Sequence, residues 1–414
     1  MSGARLAGSL PAPADFAAVA TTSDIARWDA ADRAARPARL DRLRARFAAS
    51  GVDAYFGVRP EHMRYLTGFS LAAGEEKAAG NSGQFIVSGE HVTVLADSRY
   101  TIQARREAPD ARLSEAYNDL PTRWPGLMAA IGARRVGVEA GFVSHRAWGQ
   151  LAAAAPDVEL IPVDGWVEAD RAVKEPAEIE RIAAACAVAD RALAALLPEI
   201  HVGVTEAGLA LRLEWLMRTG GAEALAFDVA CLSGPEAALP HGAPGERPVR
   251  AGAVLLFDFG AQVAGYRSDM TRTLFVGEPS MRDVDIYTVV ARAQATAIAA
   301  LEDAIAGSDA GTPLPSGRAI DGVARGVIEA AGFGDRFGHG TGHGIGLATH
   351  EQPSLGRQAS DAPLPSPTVF SVEPGVYLEG EMGVRIEDLV AIDAIAGRVE
   401  CLTRFPREIL VVRG

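Results

Sequence analysis

The chain has 414 residues, of which 48% are hydrophobic and 22% are charged. A chain of this length and composition forms two or three domains and buries enough apolar surface to exclude an intrinsically disordered protein. Its 53 acidic and 40 basic residues leave a net charge of −13, which disfavours a nucleic-acid-binding surface because that affinity comes mainly from Lys and Arg.

The first 170 residues alternate between strand and helix patterns. A helical pattern covers residues 25–49, apolar strand-like runs follow at 54–58, 84–87, 92–96 and 135–138, and helical stretches lie at 101–108 and 144–155. This alternation predicts a smaller N-terminal α/β domain over residues 1–170, with a mixed sheet flanked by helices. Its first 24 residues mix Pro, Ser, Thr and Ala and are predicted to be a flexible or loosely docked arm. The polar stretch 164–176 is the expected domain boundary.

The remainder, residues 171–414, has a different pattern. Helical patterns cover 178–197, 205–218, 281–306 and 317–331, and strand-like runs lie at 227–232, 254–259, 268–276, 368–372 and 384–391. Long helices and hairpin-like strand pairs in separate blocks predict an α+β domain rather than a doubly wound sheet.

Cysteine usage and hydropathy bear on the cellular compartment. Cys186, Cys231 and Cys401 lie far apart without a CxxC spacing, which disfavours a disulfide framework or a thiolate zinc site and favours a reducing compartment. No uninterrupted apolar run approaches the ~18 residues of a membrane span, and the N-terminus lacks the apolar core of a secretory signal. We therefore predict a cytoplasmic protein that binds neither membranes nor nucleic acid.

Four acidic residues lie in or beside apolar strand-like runs of the second half. Asp258 and Asp269 flank a predicted hairpin connection at 262–267, Glu373 ends a second run and Glu387 lies in a third. One such carboxylate is readily explained by a solvated strand face or a buried salt bridge, but four would repel one another unless divalent cations lay among them. With a glycine-flanked histidine, His343, they suit Mn²⁺, Co²⁺ or Zn²⁺, and a metal pair can activate a bridging water.

Glycine occupies every second position of residues 338–346. A dinucleotide-binding fingerprint needs glycines at offsets 0, 2 and 5, which this even spacing does not supply. Alternating glycines instead remove one row of side chains from an extended segment, so we expect a substrate or metal to approach its backbone closely. A glycine-rich surface loop is the alternative.

Together these residues resemble the metal-binding set of the metallopeptidases with the pita-bread fold, the family of methionine aminopeptidase, aminopeptidase P and prolidase. The matching strings are 238–242 (ALPHG), 258–273, 342–346 (GHGIG), 350–351 (HE), 372–375 (VEPG) and 383–388 (GVRIED). A weaker likeness to the N-terminal domain of the Xaa-Pro peptidases lies at 64–69 and 97–100. The resemblance implies an α+β pita-bread catalytic domain at 171–414, with a curved antiparallel sheet covered by helices.

The resemblance also implies a metallopeptidase with two divalent metal ions per chain, Mn²⁺ being expected and Co²⁺ or Zn²⁺ the alternatives. Asp258 would chelate one metal, and Asp269 and Glu387 would bridge the two. His343 would bind the second metal. Glu373 would bind the second metal as well and take the proton from the bridging water.

Three further residues match catalytic positions of the family. His241 and His350 resemble its substrate-binding and proton-shuttling histidines, and Arg385 is expected to support the metal carboxylates. A turn histidine after Pro240 is the alternative for His241, and a surface histidine is the alternative for His350. His339 has a weaker claim and is not included in the predicted site.

The two-domain layout resembles the Xaa-Pro peptidases, which act on small peptides with Pro after the scissile bond. We favour a Xaa-Pro dipeptidase, or prolidase, that uses a metal-bridging hydroxide. Family prolidases often carry an Arg shortly after the His-Glu step, where this chain has Ser354 and, further on, Arg357. Aminopeptidase P, which acts on longer peptides, therefore stays open. The insertion at 72–83 is a candidate lid, with a surface loop as the alternative.

Two functions other than peptide hydrolysis are disfavoured. A metal-dependent lyase on the same fold is opposed by the ordinary spacing of 258–269, and a non-catalytic binding module by the intact ligand set. The resemblance further implies a homodimer, and C₂ dimers are also the commonest assembly.

Overall fold

The computed structural model describes residues 10–71, 83–115, 119–307 and 313–412. The candidate lid at 72–83 therefore lies, apart from Gly83, outside the described residues. The chain forms two compact units. One is Ala26–Arg171, and the other joins the described part of Met1–Ile25 to Ala172–Gly414.

The smaller unit alternates helices and strands. Its elements are α1 (Thr22–Ser50), β1 (Ala54–Gly57), α2 (Pro60–Thr67), β2 (Gln84–Ser88), β3 (Val92–Leu95), α3 (Thr101–Glu107), β4 (Arg112–Ser114), α4 (Leu120–Ile131), β5 (Arg135–Glu139), α5 (His145–Ala154), β6 (Glu159–Val163) and α6 (Trp166–Ala172). The strands form one sheet in the order β4-β3-β2-β1-β5-β6. The pairs β1–β2 and β2–β3 are antiparallel and the rest are parallel, which confirms the predicted mixed sheet.

The stretch predicted to be a polar boundary contains a helix, α6. The prediction counted its charged residues, but Val167 and Ala172 are buried, and so is Arg171. The charged residues of α6 are themselves buried or half-buried, so their presence in the sequence did not indicate an exposed segment.

The described part of the predicted arm packs on the larger unit. The ring of Phe16 stacks on Phe405 with centroids 5.9 Å apart, and Arg191 Nη1 donates to the carbonyl of Pro13 at 2.8 Å. Residues 10–25 therefore belong to the larger unit and not to the N-terminal sheet domain.

The larger unit contains four α-helices and fourteen of the strands within the described residues. Its elements are α7 (Pro176–Leu196), α8 (Glu206–Thr219), β7 (Ala224–Leu225), β8 (Ala230–Ser233), β9 (Val254–Phe259), β10 (Ala261–Val263), β11 (Tyr266–Arg267), β12 (Met270–Val276), α9 (Met281–Ala306), α10 (Gly317–Ala330), β13 (Gly342–Gly344), β14 (Glu351–Leu355), β15 (Thr368–Val372), β16 (Gly375–Leu378), β17 (Met382–Arg385), β18 (Asp388–Asp393), β19 (Arg398–Cys401) and β20 (Val411–Val412). The main sheets have the orders β20-β12-β9-β8 and β14-β13-β15-β18-β19. With one exception, β12 with β20, their pairings are antiparallel.

Helix α9 is long and apolar enough to cross a membrane by length and composition alone. Its buried residues, among them Ile286, Val290 and Leu301, join the hydrophobic core that also contains Ile320 of α10 and Phe370 of β15. This is the arrangement of a core helix covering the sheets.

The run predicted as one strand at 384–391 is two strands. β17 ends at Arg385 and pairs with β16, whereas β18 begins at Asp388 and pairs with β15. Arg272 of β12 explains the break, because it donates to the carbonyl of Glu387 at 2.5 Å and to Asp388 Oδ1 at 2.6 Å. The chain therefore changes sheets at Glu387, and hydropathy alone does not encode this corner.

Candidate metal centre

The larger unit contains a cavity of about 420 Å³ into which the predicted site residues converge. Its lining comprises Phe227, Pro240, His241, Asp258, Asp269, His339, Gly340, Gly342, His343, Thr349, His350, Ser354, Glu373, Arg385 and Glu387. All eight residues predicted as metal ligands or catalytic groups are in this set. Apolar and polar groups from separate parts of the chain thus meet in one concave site, as in typical enzyme active sites.

The hairpin between β9 and β12 brings the two aspartates together. Asp258 lies on β9 opposite Thr271, and Asp269 directly precedes β12. The connection turns at Ala264 and Gly265, both with positive φ (47° and 82°), as a two-residue turn matched to the strand twist requires. The predicted hairpin is therefore present.

The other three predicted ligands come from the second sheet. His343 lies on β13, Glu373 follows the end of β15, and Glu387 occupies the corner between β17 and β18. The Nε2 atom of His343 is 3.3 Å from Glu373 Oε1 and 3.7 Å from Asp269 Oδ2. One ligand atom each of Asp269, His343 and Glu387 lies within 4.8 Å of the other two, close enough to share a cation.

Burial makes this cluster electrostatically costly without a cation. Burial and the neighbouring carboxylates, Glu387 foremost, raise the pKa of Asp269 well above its usual value. Burial and the charge of Glu373 likewise raise the pKa of Glu387, and burial raises that of Glu373. Burial lowers the pKa of His343, which favours the neutral imidazole that metals bind.

Two carboxylate oxygens of the cluster are left without a hydrogen-bond partner. Asp258 Oδ1 and Glu387 Oε1 are both buried and unpaired among the described residues. Buried carboxylate oxygens need either a donor or a cation. Four carboxylates and one imidazole are a donor set that divalent metals accept. The residues present therefore fit the divalent cations predicted from the sequence.

Arg385 contacts one carboxylate of the cluster directly and a second one through a hydroxyl group. Its Nη2 donates to Asp258 Oδ2 at 2.5 Å, and its Nε donates to Thr271 Oγ1 at 2.9 Å. Thr271 Oγ1 in turn donates to Glu387 Oε2 at 2.7 Å. The guanidinium thus orients Asp258 directly and Glu387 through a hydroxyl, the supporting contact that was expected of it.

The two predicted catalytic histidines lie on loops beside the cluster. His241 is exposed in the turn between β8 and β9. His350 ends the loop after β13, with its ring centroid 4.3 Å from that of His343. Burial, and then the neighbouring His343, lower the pKa of His350, so its imidazole is neutral near pH 7. A neutral imidazole both donates and accepts one hydrogen bond, as a proton shuttle requires.

His339, left out of the predicted site, also lines the cavity. Its Nε2 is 2.8 Å from the hydroxyl of Tyr377, which accepts from Arg385 Nη1 at 2.9 Å. The available signal was spacing, because residues 339 and 343 are separated by an even number of positions in an extended segment and so share a face. The lining residues Phe227 and Thr349 were not predicted either, nor was Tyr377, the partner of His339 and Arg385. No sequence pattern distinguishes these three residues from others of their type.

Three of the alternating glycines, Gly340, Gly342 and Gly344, contact neighbouring strands, and the first two also line the cavity. A Cβ atom at Gly342 would lie 1.8 Å from the carbonyl oxygen of Ser371, and one at Gly344 would lie 2.2 Å from that of Gln352. These glycines let the backbones of the neighbouring strands approach β13. The space left by the missing side chains is thus filled by protein at Gly342 and Gly344, and the approach of a substrate or metal to the cavity-lining backbone stays a prediction.

Ser354 and Arg357, the residues considered for binding the carboxylate of a C-terminal proline, lie in different surroundings. Ser354 lines the cavity, as its place after His350 indicated. Arg357 does not line it, because its side chain is largely exposed and pairs with Glu329 at 3.4 Å. Arg357 is therefore not placed to bind the carboxylate of a substrate in the cavity.

The chain resembles known metallopeptidases over most of its length. Residues 180–394 match the model of metallopeptidase family M24, and residues 39–173 match the Creatinase/Prolidase N-terminal domain. The Xaa-Pro dipeptidase of Pyrococcus furiosus is 31% identical over 377 residues, or 90% of this chain and 99% of that protein. A solved Xaa-Pro dipeptidase from Bacillus anthracis superposes with a TM-score of 0.81 at 32% identity, covering 91% of this chain and 99% of that one.

An X-Pro aminopeptidase from Thermotoga maritima superposes with a TM-score of 0.75 at 34% identity, covering 87% of this chain and 98% of its own. The structural matches confirm the predicted fold class, a catalytic α+β domain preceded by a smaller α/β domain. Dipeptidases and an aminopeptidase thus resemble this chain to a similar degree.

Proposed function

The chain belongs to metallopeptidase family M24, and from this membership we propose that it is a Xaa-Pro dipeptidase. The observation that carries the proposal is the convergence of four carboxylates and one imidazole in a cavity of about 420 Å³. Relatives about 30% identical over nine tenths of the chain, named Xaa-Pro dipeptidases, support the substrate class. The substrates are then small peptides with Pro after the scissile bond.

Five residues would hold two divalent cations. Asp258 would chelate one cation, His343 and Glu373 would bind the other, and Asp269 and Glu387 would bridge them. Support comes from the raised pKa values of the buried carboxyls and from the unpaired oxygens of Asp258 and Glu387. When bound, such cations supply Lewis acidity and lower the pKa of a coordinated water. We propose Mn²⁺, since carboxylate-rich sites favour harder ions, with Co²⁺ or Zn²⁺ as alternatives.

The chain's own residues would then move the protons. The Glu373 carboxylate would accept the proton of the attacking water. The hydroxyl of Ser371 orients this carboxylate by donating to Glu373 Oε1 at 3.0 Å. His241 would orient the substrate, and the neutral imidazole of His350 would help to shuttle the proton to the departing proline nitrogen. Arg385 would keep Asp258 oriented throughout.

Aminopeptidase P activity is the second candidate, and one position of the cavity wall favours it. A dipeptidase must capture the carboxylate of the C-terminal proline, usually with Arg. Among the described lining residues the one Arg is Arg385, which already binds Asp258, and Ser354 is uncharged. A site without a free cation admits longer peptides more readily.

The deciding experiment compares Ala-Pro with Ala-Pro-Ala in the metal-loaded enzyme, with Ala-Ala as the control substrate. Xaa-Pro dipeptidase activity predicts turnover of Ala-Pro and at most weak turnover of the tripeptide. Comparable kcat/KM on Ala-Pro-Ala would establish aminopeptidase P activity instead. Failure to cleave either peptide would exclude both and favour the lyase alternative. Glu373→Gln should abolish whichever hydrolysis is found.

We further propose a cytoplasmic homodimer with the domain boundary at residue 170. The three free cysteines support a reducing compartment, and the division between Arg171 and Ala172 supports the boundary. Sedimentation analysis of the metal-loaded protein tests the dimer, because a single species near 43.3 kDa would identify a monomer.

A further inference from the structure

One carboxylate outside the cavity, that of Glu206, lies at the base of the segment that carries His241. Glu206 is the first residue of α8 and is fully buried. The helix does not need it as a cap, because the N-cap residue Thr205 accepts from the backbone N–H of Gly208 at 3.1 Å. The carboxylate is directed instead at residues 233–247.

The carboxylate binds both ends of one segment of the chain. Its Oε1 accepts from the backbone N–H and the hydroxyl of Ser233, both at 2.7 Å. Its Oε2 accepts from the N–H of Gly245 at 3.0 Å and from Arg247 Nη2 at 3.0 Å. The backbone repeats the link, since the N–H of Ala207 donates to the carbonyl of Gly245 at 3.0 Å. One residue of α8 therefore fixes the separation of Ser233 and Gly245.

Between these two ends lies the chain that carries Pro240 and His241 into the cavity. Its first half is also held by β17, because Gly383 approaches so closely that a Cβ there would lie 1.9 Å from the carbonyl oxygen of Ala237. On the second half, the N–H of Gly242 donates to the carbonyl of Leu239 at 3.1 Å within the same segment, and the clamp at Gly245 then connects the segment to α8. The position of His241 therefore depends on the turn at Leu239–Gly242 and on the connection that Glu206 makes to α8.

We propose that Glu206 is a positioning residue of the active site, holding His241 at the cavity by clamping Ser233 to Gly245. The inference rests on the proposed function, in which His241 orients the substrate. It adds a requirement for a charged acceptor at position 206, because all the groups around the carboxylate are donors. A glutamine side chain has the same shape, but its NH₂ group is a donor and would face the donors that now bind one of the two carboxylate oxygens.

The test is Glu206→Gln in the full-length, metal-loaded enzyme, with Glu199→Gln as the matched control. Glu199 precedes α8 and pairs with Arg212 at the surface, away from residues 233–247. We expect Glu206→Gln to raise KM for the cleaved Xaa-Pro peptide about tenfold, with a smaller change in kcat and unchanged metal content. Glu199→Gln should leave both constants as in the wild type. A Glu206→Gln enzyme with wild-type KM and merely a lower unfolding temperature would overturn the proposal.

A double-mutant cycle and a spectroscopic readout separate this proposal from the proposed function. If Glu206 acts through His241, Glu206→Gln combined with His241→Ala should be no worse than His241→Ala alone, and additive effects would contradict the clamp. The chain has eight histidines, so ring-¹³C-labelled histidine gives few NMR signals, and His241→Ala assigns that of His241. Glu206→Gln should shift or broaden this signal and leave that of His201 unchanged, even if no Xaa-Pro peptide is cleaved. An unmoved His241 signal would refute the positioning role.

Discussion

Arg385 Nη2 lies 2.5 Å from Asp258 Oδ2, although the two residues are 127 positions apart in the chain. The same guanidinium reaches Thr271 and Tyr377, each at 2.9 Å. Three donors of one planar group are thus used in three directions at the edge of a cluster of carboxylates. A Lys side chain ends in a single nitrogen and cannot reproduce this fork.

We therefore predict that Arg385→Lys lowers kcat/KM about 10–100-fold and weakens metal binding by a similar factor, as is usual when a partner of a metal ligand is lost. Steady-state kinetics on a Xaa-Pro peptide and metal titration measure the two effects. Arg404→Lys is the matched control, since Arg404 pairs with Glu400 at the exposed surface. Equal kinetics for Arg385→Lys and the control would show that the charge alone suffices.

Removing the divalent metal should destabilise the protein as well as inactivate it. Asp258 Oδ1 and Glu387 Oε1 have no donor among the described residues, and Arg385 compensates the buried carboxylates of the metal-free protein only in part. At free metal 100-fold above Kd, binding stabilises the fold by about 2.7 kcal/mol. Thermal unfolding of chelator-treated and Mn²⁺-loaded protein checks this. His343→Ala should reduce the stabilisation, and a midpoint unaffected by Mn²⁺ in the wild type would exclude the site.

The sequence allowed us to predict that five candidate ligands converge, but not how the chain brings them together. Asp258 and Asp269 were predictable because a hairpin is a local structure with its own turn residues. Glu387 was assigned to the interior of one strand, whereas it lies at a corner between two sheets. That corner depends on Arg272, 115 residues away in the chain, donating to the Glu387 carbonyl. A contact between distant residues leaves no trace in local hydropathy.

The alternating glycines illustrate the same limit. Their spacing correctly indicated a close approach to the backbone at 338–346, but not what approaches. The neighbours are backbone carbonyls of Ser371 and Gln352, which belong to or adjoin the strands on either side of β13. Period and composition encode the need for space, whereas the occupant of the space is a property of the tertiary fold.

Two glycines of this segment should therefore respond differently to the same substitution. At Gly342 a Cβ would lie 1.8 Å from the Ser371 carbonyl oxygen, whereas at Gly338 nothing lies within 4 Å. We predict that Gly342→Ala separates β13 from β15, lowers the free energy of unfolding by about 3 kcal/mol and weakens metal binding through the adjacent His343. Gly338→Ala should change stability by less than about 0.5 kcal/mol. Denaturant unfolding and metal titration compare them, and equal effects would contradict the packing explanation.

The free energy of unfolding should depend on pH through a buried carboxyl group, that of Asp190. Asp190 of α7 accepts from the backbone N–H groups of Arg404 and Phe405, at 2.9 and 3.1 Å. Burial outweighs these bonds and raises the pKa of Asp190 to about 7. An acid whose pKa is higher in the folded than in the unfolded state stabilises the fold at low pH and loses this contribution as pH rises through the folded-state value.

For Asp190 the loss begins near pH 4 and continues to about pH 7. Between pH 5.5 and 8 the free energy of unfolding should fall by about 2 kcal/mol from this group alone. Asp190→Asn should be less stable overall, because an amide presents N–H to one of the two backbone donors, but its stability should change less with pH. Urea unfolding of metal-loaded protein across this range measures the slope, with the exposed Asp361→Asn as control. A wild-type slope in Asp190→Asn would assign the pH dependence to other groups.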